Sequence, residues 1–290
     1  MLPLNILILN HRLLNYLLRN KLSFNNSSIL NAIGLSILML AVVSTTTQAA
    51  SDAEVKGLEI AKEAKRRDIG WGDNQSTLKM ILRNAAGQES TREIRVKTLE
   101  VQGDGDKSLN IFDHPRDVKG TAFLSFSHPI GADDQWLYLP ALKRVKRIAS
   151  RNKSGPFMGS EFAFEDLASF EVEKYTYKFL REEPCAAGTC FVLDQYPVDK
   201  YSGYTRRVAW IDTKEYRNWK TEFYDRRNSL LKTLTVSSYK QYGDKYWRAE
   251  GMKMVNHQTK KTTDLVWQEY QFQTGLSEDD FNKNTLKRAK

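Results

Sequence analysis

Along most of the chain, apolar and polar residues alternate one for one. Leu78, Met80 and Leu82 stand two apart among polar neighbours; so do Ile94 and Val96, Leu109 and Ile111, and Ala122, Leu124 and Phe126. A period of two is the signature of a strand with one face buried. Leu99 and Val101 fall on the opposite parity from Ile94 and Val96, which predicts a bulge near Thr98. A strand through Trp136 and a basic strand after it come next. The alternation lapses between Phe157 and Leu167, then resumes at Tyr175, Tyr177 and Phe179, at Phe191 and Leu193, and at Val208 and Trp210. Trp219, Thr221 and Phe223 form the next strand, and Leu230, Leu234 and Val236 another. Two longer strands close the series, near Tyr246 to Val255 and Thr262 to Phe272. Short turns rich in Gly, Asn and Asp separate them, as at Asn84 to Gln88, Gly103 to Asp106 and Tyr242-Gly243-Asp244. The pattern predicts an antiparallel meander of about a dozen strands.

Helical spacing is confined to the ends. Ser51-Asp52-Ala53-Glu54 is a capping box, and Val55, Leu58 and Ala61 or Ala64 trace an apolar stripe behind it. Gly70-Trp71-Gly72 ends that helix. Leu276 before Ser277, with Asp280 and Phe281 after, reads as a hydrophobic staple and predicts a short terminal helix. A sheet this long must curl, close or be covered. The expected fold is therefore mainly β: one large curved antiparallel sheet with a helix or two on its concave face, and room there for an apolar cavity. No internal repeat or composition shift divides it, so 51–290 is expected to form a single domain.

The first 50 residues have a different character. Ile29 to Val43 is an apolar run, basic residues precede it, and Thr47-Gln48-Ala49-Ala50 supplies small residues at a cleavage position. That is the pattern of a secretory signal peptide, shorter than the roughly 20 residues of a spanning helix. Export to the periplasm is the expectation. The segment holds Arg12, Arg19 and Lys21 and no acid, so the remainder carries +6 of the formal +9. Modest basicity favours acidic partners such as lipid head groups. Both cysteines lie in Cys185-Ala186-Ala187-Gly188-Thr189-Cys190. In an oxidising compartment a hairpin turn of this length brings them to disulfide distance. A redox pair usually has two intervening residues, and a metal site needs more ligands than two thiols.

Catalytic signatures are missing from the sequence. His114, His128 and His257 are isolated and lack metal-ligand spacing. There is no nucleophile elbow, phosphate loop or dinucleotide fingerprint, and Asp133-Asp134 reads as a hairpin turn. An enzyme, a metal and a cofactor are therefore not expected. What stands out is the stretch from Trp136 to Leu167. Trp136 and Tyr138 lead into a basic cluster of Lys143, Arg144, Lys146 and Arg147. This cluster is either a solvated strand and turn or a site for anionic head groups or an acidic partner protein; nucleic acid fits an exported protein poorly. Phe157, Met158, Phe162, Phe164 and Leu167 follow, with Gly155-Pro156 and Gly159 between and around them. They read either as ordinary core or as a mobile lid over an apolar cavity.

Two blocks of this stretch resemble a known family. Tyr138-Leu139-Pro140-Ala141-Leu142-Lys143-Arg144-Val145-Lys146-Arg147-Ile148 is one; Phe157-Met158-Gly159-Ser160-Glu161-Phe162 with Phe164-Glu165-Asp166-Leu167 is the other. Together they are similar to the LolA-like outer-membrane lipoprotein-sorting proteins of Gram-negative bacteria, in particular the longer relatives associated with hydrophobe exporters. The resemblance implies an incomplete β-barrel with helices in its opening. It also implies an apolar cavity for lipid or lipoprotein acyl chains and carriage across the periplasm toward the outer membrane without a reaction; a monomer is expected. The alternative is a non-carrying partner subunit of an inner-membrane hydrophobe exporter.

Overall fold

The computed structural model describes residues 52–284 and 286–288. The signal-peptide expectation falls on residues outside this range. The described part opens with helix α1, residues 52–67. Thirteen strands follow: β1 (Asp73–Arg83), β2 (Glu89–Leu99), β3 (Lys107–His114), β4 (Ala122–Phe126), β5 (Asp134–Leu139) and β6 (Arg144–Arg147), then β7 (Tyr175–Cys185), β8 (Gly188–Pro197), β9 (Tyr204–Asp212), β10 (Asn218–Asp225), β11 (Leu230–Tyr242), β12 (Tyr246–Asn256) and β13 (Thr262–Phe272). All thirteen belong to one sheet, in the order β6-β5-β4-β3-β2-β1-β13-β12-β11-β10-β9-β8-β7. Every pairing is antiparallel. β1 and β13 zip the two halves together, and β6 and β7 are left as edges, so the barrel is incomplete.

The core shows how far the sheet curls. One buried cluster joins Leu78, Met80 and Ile94 from the first half to Phe223, Met254 and Leu265 from the second. Phe157 and Phe162 lie among them, and Phe112 and Phe123 add rings from β3 and β4. Side chains from strands so far apart in the sheet meet only if the sheet wraps around them. The residues between β6 and β7 thus fill the inner face while connecting the two open edges.

The opposite face of β3–β6 is also covered. Leu109, Ile111, Ala122 and Leu124 pack there against Phe281 and Leu286, with Leu99, Trp136, Tyr138 and Val145 around them. This corrects the bulge expected near Thr98. β2 pairs with β1 without interruption from Glu89 to Leu99, and Leu99 changes parity because its own face is apolar too. The terminal helix is corrected as well. Ser277 N–H donates to Asp280 Oδ2 at 3.0 Å, so the cap forms. The chain then makes only a 3-10 turn over Glu278–Asp280 before Phe281 and Leu286 dock on the sheet.

In α1 the buried face is Gly57, Ile60 and Ala61; Val55 and Leu58 point outward. Ile60 packs on Leu193, Ala209 and Ile211, and Ala61 on Val172 and Tyr177. The stripe moves because close approach outweighs side-chain size. A Cβ at position 57 would sit 2.9 Å from the backbone nitrogen of Phe179. Bulkier residues therefore occupy the free side of the helix.

Cys185 and Cys190 are joined in a disulfide across the β7–β8 turn, with Cα atoms 5.8 Å apart. Closing so short a loop constrains the unfolded chain by about 2 kcal/mol. Replacing both cysteines with alanine should lower stability by about that amount in a denaturant titration. The inner-face core should stay packed, because Cys185 and Cys190 belong to a separate cluster with Val192, Val208 and Trp210.

Candidate functional site

The segment from 153 to 167 is where the aromatic motif meets the sheet. It folds back on itself: Phe157 N–H donates to Phe162 O at 2.7 Å and Phe164 N–H to Gly155 O at 3.1 Å. A bridge pairs Pro156 with Ala163. Met158 and Gly159 both take positive φ, 49° and 79°, turning the tip and directing Phe157 into the core. Phe157 packs 5.1 Å from Phe123 and 5.6 Å from Phe164, centroid to centroid, and is 2 % exposed. Phe162 is buried, while Met158, Phe164 and Leu167 are partly buried against the same cluster. This is an inserted plug fixed at both ends.

The acidic residues of the motif do the fixing. Asp166 Oδ2 accepts from Lys232 Nζ at 2.6 Å, and both side chains are buried. The same carboxylate accepts from Ala163 N–H at 2.6 Å and, through Oδ1, from Tyr204 OH at 2.8 Å. Lys232 Nζ also donates to Glu161 O at 2.8 Å. Glu161 accepts from Asn256 Nδ2 at 2.6 Å, and its N–H donates to Thr263 Oγ1 at 3.0 Å. Glu165 accepts from Ser202 Oγ and Gly203 N–H, both at 2.8 Å. Burial, reinforced by the Asp166 charge, pushes the Glu165 carboxyl above the usual range. From the first half of the sheet, Arg92 Nη1 donates to Met158 O at 2.6 Å and Gln135 Nε2 to Phe164 O at 3.0 Å.

Beside the plug lies a cavity of about 1110 Å³. It is bounded by the inner face of the sheet, the C-terminal end of α1 and residues 162–175. Part of its wall is apolar, including Phe162, Leu167, Leu234, Met252, Met254 and Trp267. Another part is polar. Ser76 Oγ and Thr98 Oγ1, on adjacent strands, are buried in this wall without a hydrogen-bond partner among the described residues. Ile69, Ile130 and Val198 belong to three different loops of the lining and are exposed.

Of the residues singled out in the sequence, the structure brings Phe162 and Leu167 to the cavity, and Phe157, Met158 and Phe164 to the adjoining core. Trp136 and Tyr138 lie on the other face of the sheet, against the C-terminal segment. Lys143 takes positive φ between a 3-10 turn and β6; Arg144, Lys146 and Arg147 are exposed on that edge strand. Arg147 pairs with Asp134, while Arg144 and Lys146 have no ion pair among the described residues. Sequence reasoning missed Lys232, Tyr204 and Asn256, each of which looks like an ordinary member of an alternating strand. Of these, Lys232 alone carried a legible signal: it sits on the same parity as Leu230, Leu234 and Val236, where an apolar residue was expected.

The unclosed antiparallel sheet is a fold that known structures share. A crystal structure of an outer membrane lipoprotein-sorting protein domain from Vibrio parahaemolyticus is 65% identical, with a TM-score of 0.80 over 81% of this chain and 100% of that one. The chain belongs to this lipoprotein-sorting family. A DUF1329 family protein from Desulfovibrio piger is 27% identical, with a TM-score of 0.76 over 81% of this chain and 99% of that one. A LolA superfamily protein from Nitrosomonas europaea shares the fold at 19% identity, with a TM-score of 0.63 over 78% of this chain and 97% of that one. A family model described as an uncharacterized protein matches residues 104–288. No curated protein sequence matches the chain.

Two measurements probe the site. Lys232→Met leaves Asp166 buried without its cation and should cost about 3–5 kcal/mol by denaturant titration. Asp106, half-buried in the cavity wall, has its carboxyl pushed up to about 6 by burial. Between the ordinary carboxylate range and that value the folded state binds more protons than the unfolded chain. Stability therefore falls as pH rises through this window. Asp106→Asn should remove the fall, gaining up to ~3 kcal/mol near neutral pH and nothing near pH 4.

Proposed function

We propose that the protein is a periplasmic carrier that holds an acyl chain, of lipoprotein or lipid, in the cavity beside the 153–167 plug and delivers it toward the outer membrane. The observation that carries this reading is the cavity itself. At about 1110 Å³ it slightly exceeds the roughly 300–1,000 Å³ of typical small-molecule pockets. Its Leu, Met, Trp and Phe wall suits methylenes. Burying an acyl chain at ~0.8 kcal/mol per methylene contributes on the order of 12 kcal/mol gross for a chain of about 15. Affinity of that kind needs no catalytic constellation. The Vibrio relative is described as a lipoprotein-sorting domain, which supports the same cargo class.

In this reading Phe162 and Leu167 contact cargo, whereas Phe157 and Phe164 hold the plug. The carrier is a monomer exported by a cleavable signal peptide. The exposed β6 edge, with Lys143, Arg144 and Lys146, favours a second reading: docking on an anionic membrane or on an inner-membrane exporter as a non-carrying subunit. Cationic side chains also keep an open edge strand from pairing with other chains.

Mass spectrometry of organic extracts from the purified protein separates the two. A carrier should release acyl lipid in near-stoichiometric amount; a subunit that only docks should release none. Leu167→Ala should weaken binding of a fluorescent fatty acid several-fold while costing less stability than Phe157→Ala, which opens a core cavity and should cost about 3–5 kcal/mol. Equal stability losses with unchanged affinity for both variants would remove Leu167 from the contact surface.

A further inference from the structure

The cavity is lined by many cations, and nearly all are already neutralised. Lys65 pairs with Glu171, Lys153 with Asp199, Lys174 with Asp133, Arg217 with Asp212 and Arg248 with Asp68. Arg66 and Arg67 share Glu63, and Lys107 holds Glu278. Lys245 is exposed and donates to Ile69 O. Arg207 differs. Among the described residues it makes no ion pair with a carboxylate, yet it is only partly exposed and lines the cavity. Its Nε and Nη2 both donate to the neutral Gln195 Oε1, at 3.1 and 2.6 Å, which fixes the plane of the guanidinium. Tyr175 lies against it with its ring centre 4.2 Å from Cζ, and Phe223 at 5.8 Å. Nη1 has no acceptor among the described residues.

The placement gives that free charge a direction. Arg207 is directly opposite Phe223 on β10, and Phe223 lines the same cavity. One strand further, Thr221 faces Leu234, and Leu234 faces Met254, so the inner face becomes apolar within two strands of the guanidinium. A ligand bridging the two regions is an amphiphile. A guanidinium held in one plane, with an open N–H edge and aromatic walls, is suited to a planar carboxylate or a phosphate oxygen pair.

We infer that Arg207 is the head-group subsite of the cavity, and that the preferred cargo is a lipid whose anionic group, carboxylate or phosphate, lies at the end of its acyl chain. This rests on the carrier reading and narrows its cargo. A chain bound by burial alone would be taken up equally well with a neutral head.

The test uses the purified protein and displacement of a fluorescent fatty acid by three ligands of equal chain length: palmitate, 1-palmitoyl lysophosphatidic acid and neutral monopalmitoylglycerol. The wild type should bind at least one anionic lipid about ten-fold more tightly than the neutral one. The two anionic arms show whether carboxylate or phosphate is favoured. Arg207→Gln should abolish the preference; Arg207→Lys should restore part of it. Equal binding of all three by the wild type overturns the subsite while leaving the carrier intact, and needs no variant to fold. Retention of the preference by folded Arg207→Gln, checked by its melting curve, overturns it too. Failure of all three to bind overturns the carrier reading and the subsite together.

Discussion

The buried ion pair between Lys232 and Asp166 is the contact on which the arrangement of the molecule turns. Neither charge survives in a protein interior alone; each is tolerated because the other, with Tyr204 OH and two backbone groups, completes its hydrogen bonding. Lys232 stands on a strand of the second half of the sheet, and Asp166 on the segment that leaves the first half. Pairing them commits the connection between β6 and β7 to the inside of the curl. The aromatic residues of the same segment then have a fixed depth, and Phe157 meets Phe123 where the two halves face each other.

A plug fixed this way explains how the fold can hold a cavity without collapsing. Polar anchors at Glu161, Glu165 and Asp166 are directional, so they set the spacing between segment and sheet as apolar packing alone cannot. The space left over is bounded by α1 and by strands that carry Met, Leu and Trp inward. Met side chains adapt to irregular contents, and Ile69, Ile130 and Val198 on the bordering loops put apolar surface at the edge of the cavity. Open space and rigidity are thus divided between adjoining regions of one inner face.

Curvature also requires protection of the outer face. Leu109, Ile111 and Leu124 would be exposed on β3 and β4 if the chain stopped after β13, and Phe281 and Leu286 cover them. The strands there are apolar on both sides, which is why Leu99 breaks the parity of β2 without a bulge. Among the described residues the terminal segment forms only two short 3-10 turns, Glu278–Asp280 and Leu286–Arg288, and places Phe281 and Leu286 on the sheet.

The sequence by itself determined the strands, their antiparallel sense and the disulfide, but not the β1–β13 pairing that leaves β6 and β7 as edges. Period-two alternation and turn chemistry are local and survive without tertiary information; β13 was legible from end to end as Thr262–Phe272. The weight of the Phe157–Leu167 motif was legible too, because so many rings in a non-alternating stretch must be buried somewhere. Tertiary structure decided the rest. Trp136 and Tyr138 sit close to Phe157 in sequence but face away from it, since a strand sends neighbours to opposite faces and only the curl says which face is inside. Gly57, not Val55 or Leu58, lies on the buried face of α1, because distance to the β7 backbone selects the smallest residue. Arg207 on β9 and Lys232 on β11 are both cations at inner-face positions; whether each meets a carboxylate depends on where a segment some forty to seventy residues away in the chain comes to lie, and no local pattern encodes that.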